Sequence, residues 1–555
     1  MDLNEWVVNL SLKLHMGDQL AMISKVVLKN FRRFEAATID FTSGLNIVVG
    51  DNEAGKSTLL EAINLGLTKR WNGKFFDNEF SHHFITAAVA NKYVDSVKRG
   101  ENPQPPDVLI ELYLDNDASL AKMRGTNNSL KEDVPGYRLS ASLDPDFEEE
   151  YQAFLEKADE VTTIPTEFYR IEWTDFAGQS INVRSLRVKS SLIDASRIRL
   201  HTGADYHLQK IIGETLSTKD RSQLARSYRL HQEQFRTNAA IEAINTSLTS
   251  GSGDITDKQF TLEIDTSGVN GWESALAPHL DRLPFHFSGS GEQSRLKILL
   301  ALARRIEASH VILIEEPENH LSFPNLSALV ERIESRSVGR QVIIATHSSF
   351  VVNKLGLSQL MLLSGEGIAR IGDLPSETQD YFKKLAGYDT LRLVLARKVV
   401  LVEGPSDELI FQRAYLDKKT RRPIEDSIDV ISVRGLSAKR FLDLAIPLKR
   451  QVVVLADNDG DYKTKVDARY KNYAEHDFIT LARSDDDSKS TLEPQLLGAN
   501  GRDAVNRILG KSFGADDDLL QYMHDNKTDV ALKFHDTTET VVWPPYVQEA
   551  IDALG

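Results

Sequence analysis

Eight consecutive residues, Gly50-Asp51-Asn52-Glu53-Ala54-Gly55-Lys56-Ser57, have the types and spacing that cradle a chain of phosphates. Gly50 and Gly55 let backbone N–H groups turn inward along the loop around Asn52, and the helix that follows, with Thr58 in its first turn, would aim its positive end at the same anion. Lys56 would reach the β and γ phosphates, and Ser57 offers a hydroxyl to Mg²⁺. Far downstream the apolar run Val311–Ile314 ends in Glu315-Glu316. One carboxylate there would hold Mg²⁺, directly or through water, and the next would orient the attacking water. A second apolar run, Gln341–Ala345, ends at Thr346-His347-Ser348, where His347 is placed either to sense a γ phosphate or simply to cap and pack.

A second set of acids follows. Val399–Val402 runs into Glu403-Gly404-Pro405-Ser406-Asp407-Glu408, and Val452–Leu455 runs into Ala456-Asp457-Asn458-Asp459-Gly460. Both are apolar strands with carboxylates just past their C-terminal ends, where open α/β sheets place their sites. Thr491-Leu492-Glu493 brings another acid after the strand-like stretch Asp477–Ala482. Converging carboxylates repel one another until a cation arrives, and hard Mg²⁺ or Mn²⁺ prefers oxygen ligands. Glu408 reads as a helix-start residue that favours the helix dipole.

These residues need elements to hold them. Met22 to Gly50 alternates apolar and polar residues with a turn at Thr42–Gly44, predicting strands of a small sheet; Leu45–Val49 then enters the glycine loop, and Ser57–Leu67 is predicted helical. Arg70 to Pro106 reads as loop-rich, followed by strands at Val108–Leu114, Tyr137–Leu143 and Glu167–Trp173. From Asp205 to Leu248 apolar residues recur at helical spacing, which predicts a helical insertion. Its apolar stripe would meet either a second copy or its own domain. Strand–helix alternation resumes from Phe260 to about Leu374, and Glu377 to Arg397 reads as a charged helical connector.

The chain has 555 residues, enough for two to four domains. Hydrophobic residues make up 41% and charged residues 26%, an ordinary globular balance. No apolar run is long enough to span a membrane, and the first twenty residues do not read as a signal peptide, so a cytoplasmic location is expected. The absence of cysteine excludes disulfides and every cysteine-ligated zinc or iron–sulfur site. With 66 Lys and Arg against 81 Asp and Glu, the net charge of −15 leaves nucleic acid contacts to local basic patches.

Order and spacing carry a family resemblance. Ser288-Gly289-Ser290-Gly291-Glu292-Gln293, before a predicted helix Ser294–Glu307, resembles the signature motif of ABC ATPases while departing from the common LSGGQ form. In that superfamily the motif closes over ATP held by a second subunit, which implies a dimer of heads. Asn30-Phe31-Arg32-Arg33-Phe34 is similar to the start of SMC-like and DNA-repair heads, with Arg32 or Arg33 near nucleotide or at the surface. The acidic strand ends resemble the Toprim domain. An ABC head followed by Toprim, together with Glu315-Glu316-Pro317-Glu318-Asn319-His320-Leu321, resembles the OLD (overcoming lysogenization defect) family over nearly the whole chain.

That resemblance implies an α/β chain: an ABC-type ATPase head over 1–395, with a helical dimerisation insertion at 204–250, then a Rossmann-like Toprim nuclease over 396–555. It implies ATP with one Mg²⁺, and two Mg²⁺ or Mn²⁺ in the Toprim site. Glu403 would be a metal ligand or general base, Asp457 and Asp459 metal ligands, and Asp407 and Glu493 would complete the cluster. Lys527 would stabilise the charge developing at phosphorus, with Lys533 as the neighbouring alternative. Ser57 and Glu315 would hold the ATP metal, and Glu316 would position water. Family members are DNA endonucleases, several of them in anti-phage defence, some with a helicase partner; DNA, a homodimer or higher homo-oligomer and such a partner are therefore expected. Two other readings stand beside this one: a partner-triggered ATPase sensor or scaffold, and an SMC-like repair ATPase. The lack of long coiled-coil arms and of zinc-hook cysteines weighs against the second.

Overall fold

The computed structural model describes residues 22–182, 186–194, 200–201, 204–205, 216–252, 272, 279–280, 282–303, 310–364, 367–371, 374–385, 389–433, 438–458, 460–461 and 463–555. The chain divides into two compact units, one of residues 1–46 and 55–346, the other of residues 47–54 and 347–555.

In the first unit, Phe34–Asp40, Ile23–Phe31, Val108–Leu114 and Val134–Leu143 form an antiparallel sheet in that order, extended by Tyr169–Asp175 on the last. Ser190–Asp194, Val311–Glu315 and Gln341–Ala345 run parallel to one another, in register so that Asp194, Glu315 and Ala345 end level. The last two strands are buried along their length, as their unbroken apolar character requires. The helix Lys56–Thr68 packs against both sets of strands. Gly66 makes this possible: a Cβ there would stand 2.8 Å from Leu112 Cδ1. Gln341, fully buried, ties the two sets together, accepting from Ile23 N–H at 2.9 Å and donating to the Ile23 and Thr42 carbonyls.

The predicted loop-rich stretch Arg70–Pro106 contains a twelve-residue helix, Ala87–Lys98, whose Tyr93 and Val97 face inward. Turn-forming residues on both sides hid it. The described part of the insertion is two helices, Thr218–Arg236 and Ala239–Ser252, the first opened by a reciprocal Ser217–Asp220 capping box. Leu224, Leu230, Phe235 and Ile244 lie 40–51% exposed on them. The resumption of strands expected at Phe260 lies outside the described residues.

In the second unit, Ile47–Val49 pairs in parallel with Leu360–Leu362. A four-stranded parallel sheet follows, in the order Ile428–Ser432, Lys398–Val402, Gln451–Ala456, Ile479–Arg483. Its core includes Val400, Phe411, Tyr415, Val453, Phe534 and Ile551, all below 2% exposed. Burying each of the large side chains contributes about 1.5–3 kcal/mol. The charged connector is two short helices, Ser376–Lys384 and Thr390–Leu395. Among the described residues no helix is long and apolar enough to cross a membrane.

Candidate functional site

The glycine loop has the backbone its residue types promise. Gly55 sits at φ 104° and ends the loop as N-cap of the helix Lys56–Thr68, and Glu53 is also left-handed at φ 66°. A Cβ on Gly50 would come within 2.3 Å of the Leu363 carbonyl oxygen, so only glycine fits. Lys56 and Thr58 are buried in the first turn, Ser57 is half-buried, and Asn52 is exposed on the loop. Glu315 ends its strand buried, and Glu316 turns at φ 46°, its N–H bonded to the Ala345 carbonyl and its carboxylate accepting from Asn319 Nδ2. Backbone strain of this kind gathers at functional sites.

The signature segment opens a helix four residues earlier than expected: Ser290–Ala303 rather than from Ser294. Ser288 and Gly289 precede it, with Gln293 Nε2 donating to the Ser288 carbonyl at 2.7 Å. Gly291 has a packing reason of its own, since a Cβ would stand 2.1 Å from the His320 carbonyl oxygen. His347 is exposed, next to Ser348, which caps the helix Ser349–Leu355.

The second site is built by neighbouring strands. Lys398–Val402 and Gln451–Ala456 pair with Val402 opposite Leu455, so Glu403 follows its strand level with Ala456 and Asp457 comes one residue further along. Glu403, Asp407, Asp457, Glu493 and Lys527 all line one cavity of about 730 Å³. Asp407 lies in the first turn of the helix Pro405–Lys419, and its Oδ2 accepts from Gly404 N–H at 2.9 Å. Glu493 is not at a strand end. It sits in the first turn of the helix Leu492–Asn500, 3% exposed, accepting from Thr491 Oγ1 at 2.8 Å. Lys527 Nζ stands 3.4 Å from Glu493 Oε1, and His524 Nδ1 3.4 Å from Oε2. Lys533 does not line the cavity. Asp459 lies outside the described residues.

Burial, then repulsion from Asp407, Glu403 and Glu493, pushes the Asp457 carboxyl up to about 8. Burial pushes Asp407 up to about 6, against the opposing bond from Gly404 N–H. Burial also raises the Tyr546 hydroxyl, packed behind these acids. Asp457 so placed keeps its proton near neutral pH until a cation replaces it, and the all-oxygen donor set suits Mg²⁺ or Mn²⁺. As the side chains stand, no three described acidic or histidine groups converge closely enough to grip an ion. Binding would therefore draw them inward.

Sequence reasoning missed the cavity's outer wall. Asp389 and Arg392, from the connector, line it, as does Glu408. Two polar residues among the apolar positions of Thr390–Leu395 were the available signal. The same short helix bonds to the helix after His347: Thr390 Oγ1 donates to Asn353 Oδ1 at 2.6 Å, and Leu391 N–H to Ser349 Oγ at 3.3 Å.

Comparison with known proteins agrees with this geometry. A family model described as an AAA domain matches residues 25–249, and the Overcoming lysogenization defect protein-like TOPRIM domain matches residues 394–459. Endonuclease GajA of Bacillus cereus is 23% identical over 463 residues, covering 79% of this chain and 75% of that protein. The DNA double-strand break repair Rad50 ATPase of Methanopyrus kandleri is 47% identical over 49 residues, 9% of this chain and 6% of that protein. Among solved structures, the C-terminal region of the Xanthomonas campestris pv. campestris OLD protein is similar at 19% identity and TM-score 0.23, covering 29% of this chain and 94% of that one. The chain thus joins an ATPase domain to a Toprim nuclease domain that follows it. Within that class the pairing of an ATPase domain with an OLD-like TOPRIM domain, and the similarity to an endonuclease, support an OLD-family nuclease.

Proposed function

We propose that the chain is an ATP-regulated, divalent-metal-dependent DNA endonuclease acting in anti-phage defence. The observation that carries this reading is the gathering of Glu403, Asp407, Asp457, Glu493 and Lys527 in one cavity at the ends of neighbouring parallel strands. Its likeness to an endonuclease supports DNA as substrate. The functional boundary is drawn at 395/396.

Glu403, Asp407, Asp457, Asp459 and Glu493 would hold two Mg²⁺ or Mn²⁺, which when bound supply an activated water and charge neutralisation at the leaving oxygen. Glu403 accepts the proton of the attacking water or serves as a ligand. Lys527 donates to a non-bridging phosphate oxygen as negative charge develops there. At the other site Gly50, Asn52, Gly55, Lys56 and Thr58 bind the ATP phosphates. Ser57 and Glu315 hold its Mg²⁺, Glu316 orients water and His347 reads the γ phosphate. Ser288, Gly289 and Gly291 cover ATP held by a second copy. The exposed apolar residues of the inserted helices favour a homodimer, and a helicase is a fitting partner in a defence complex.

The test is plasmid nicking by wild type and by Glu403→Ala, with Mg²⁺ or Mn²⁺ and titrated ATP. Metal-dependent nicking lost in the variant supports the reading, and equal nicking by both overturns the site. No nicking by either would favour a partner-triggered sensor.

A further inference from the structure

A second cavity, of about 490 Å³, adjoins the acidic one, and Arg392 lines both. Its walls pair an apolar side, with Leu416, Pro423, Ile424 and Val430, with the polar Gln412, Arg422, Asp429 and His535. Ile424 is 69% exposed and Leu416 39%. Such a volume accommodates one nucleotide-sized group.

Arg392 is held firmly between the two spaces. Its Nε donates to Asp429 Oδ2 at 3.1 Å, and its Nη2 donates to Asp429 Oδ1 and, at 2.9 Å, to the Val430 carbonyl. Both partners lie on the edge strand Ile428–Ser432. These bonds use three of the five guanidinium N–H groups. The two on Nη1 make no hydrogen bond to a described residue, and the side chain remains 42% exposed. A guanidinium fixed on one edge and open on the other is prepared to donate to a phosphate oxygen. Among the described residues lining the acidic cavity, Lys527 and Arg392 are the only cations, and Lys527 already faces Glu493.

We propose that Arg392 grips the DNA phosphate next to the scissile one, oriented by Asp429, and that the cavity beyond it receives the base of that flanking nucleotide. The inference rests on the endonuclease reading and names a substrate subsite within it. A strand crossing Arg392 places its scissile phosphate over the acids. Its neighbour's base meets the apolar wall at Leu416 and Ile424, where flat apolar contact rather than base-edge hydrogen bonding holds it.

The test uses the full chain and a labelled duplex oligonucleotide whose nick site has first been mapped. Arg392→Ala is expected to raise KM about tenfold or more, as loss of a charge-assisted phosphate contact does, with kcat much less affected. Arg392→Lys should recover part of the loss, and Asp429→Asn should fall between. Ile424→Asp should raise KM on intact duplex, yet add nothing when the flanking nucleotide is abasic. Unchanged KM in Arg392→Ala, or Ile424→Asp and abasic effects that multiply at every position, overturns the proposal. Equal thermal melts exclude misfolding. Anisotropy of the same duplex in Ca²⁺ reads Arg392→Ala binding without cleavage. A wild type that binds but never nicks therefore fails the endonuclease reading separately, while binding unaltered by Arg392→Ala fails this one.

Discussion

Asp457→Asn should make the metal-free protein more stable while removing its response to metal. The Asp457 carboxyl is held at about 8, by burial first and then by Asp407, Glu403 and Glu493. Its value in the unfolded chain is about 3.9. The folded state therefore binds the proton more tightly, so stability falls as pH rises between those two values and levels off above the upper one. A gap of roughly four units, at 1.36 kcal/mol each, sets an upper bound of about 5 kcal/mol. The carboxyl shares its repulsion with Asp407, and the coupled acids can redistribute a proton among themselves, so about 1–3 kcal/mol is the expected size. Asparagine keeps the shape and carries no such linkage. In chelator near pH 8 the variant should melt several degrees above wild type, at about 2–4 °C per kcal/mol for a unit of this size. The two curves should draw together as pH falls and converge near about pH 4, the unfolded value. Adding Mg²⁺ or Mn²⁺ should raise wild type and leave the variant unmoved. Thermal melts across this pH range, with and without metal, decide it. A variant less stable at pH 8, or a difference that does not grow with pH, would refute the argument that crowded acids store this cost.

Gly50→Ala should abolish binding of a fluorescent ATP analogue, because its Cβ would stand 2.3 Å from the Leu363 carbonyl, whereas Gly44→Ala, with open space around it, should bind normally. Thr390→Val removes the hydroxyl bonded to Asn353 and should shrink the effect of ATP on nicking several-fold while leaving ATP-free nicking near wild type. Nicking titrated with ATP checks the second, and an unaltered ATP response would remove the connector from the coupling.

What could be read from the sequence, and what could not, follows from how local each feature is. The glycine loop, the Glu315-Glu316 strand end and the two acidic strand ends are each written in consecutive residues, and a buried parallel strand announces itself by an unbroken apolar run. Val108–Leu114 and Gln341–Ala345 fall where expected to the residue. Glu493 was named from its place in a motif, but its position in the first turn of a helix, held by the Thr491 hydroxyl, is not given by pattern alone. Ala87–Lys98 was missed because only Tyr93 and Val97 are buried on it, too few to make a stripe. The double role of Gly291 rests on His320, twenty-nine residues away along the chain.

Arg392 was the least legible of all, and for a physical reason. An arginine in a short charged connector looks like a solvated side chain, and most are. Its significance comes from Asp429 and Val430, on a strand that forms only once the second unit folds. The same helix carries Thr390, bonded to the segment that begins after His347. One short helix thus touches the helix after His347 with Thr390 and Leu391 and walls the acidic cavity with Arg392. Packed elements shift between discrete arrangements rather than bending continuously. A movement of the helix after His347 that displaced Thr390 would therefore move Arg392 as well. Cutting could then respond to nucleotide without any change in the acids themselves, which is why the Thr390→Val and Arg392→Ala experiments should report on different quantities: the first on the ATP response, the second on KM.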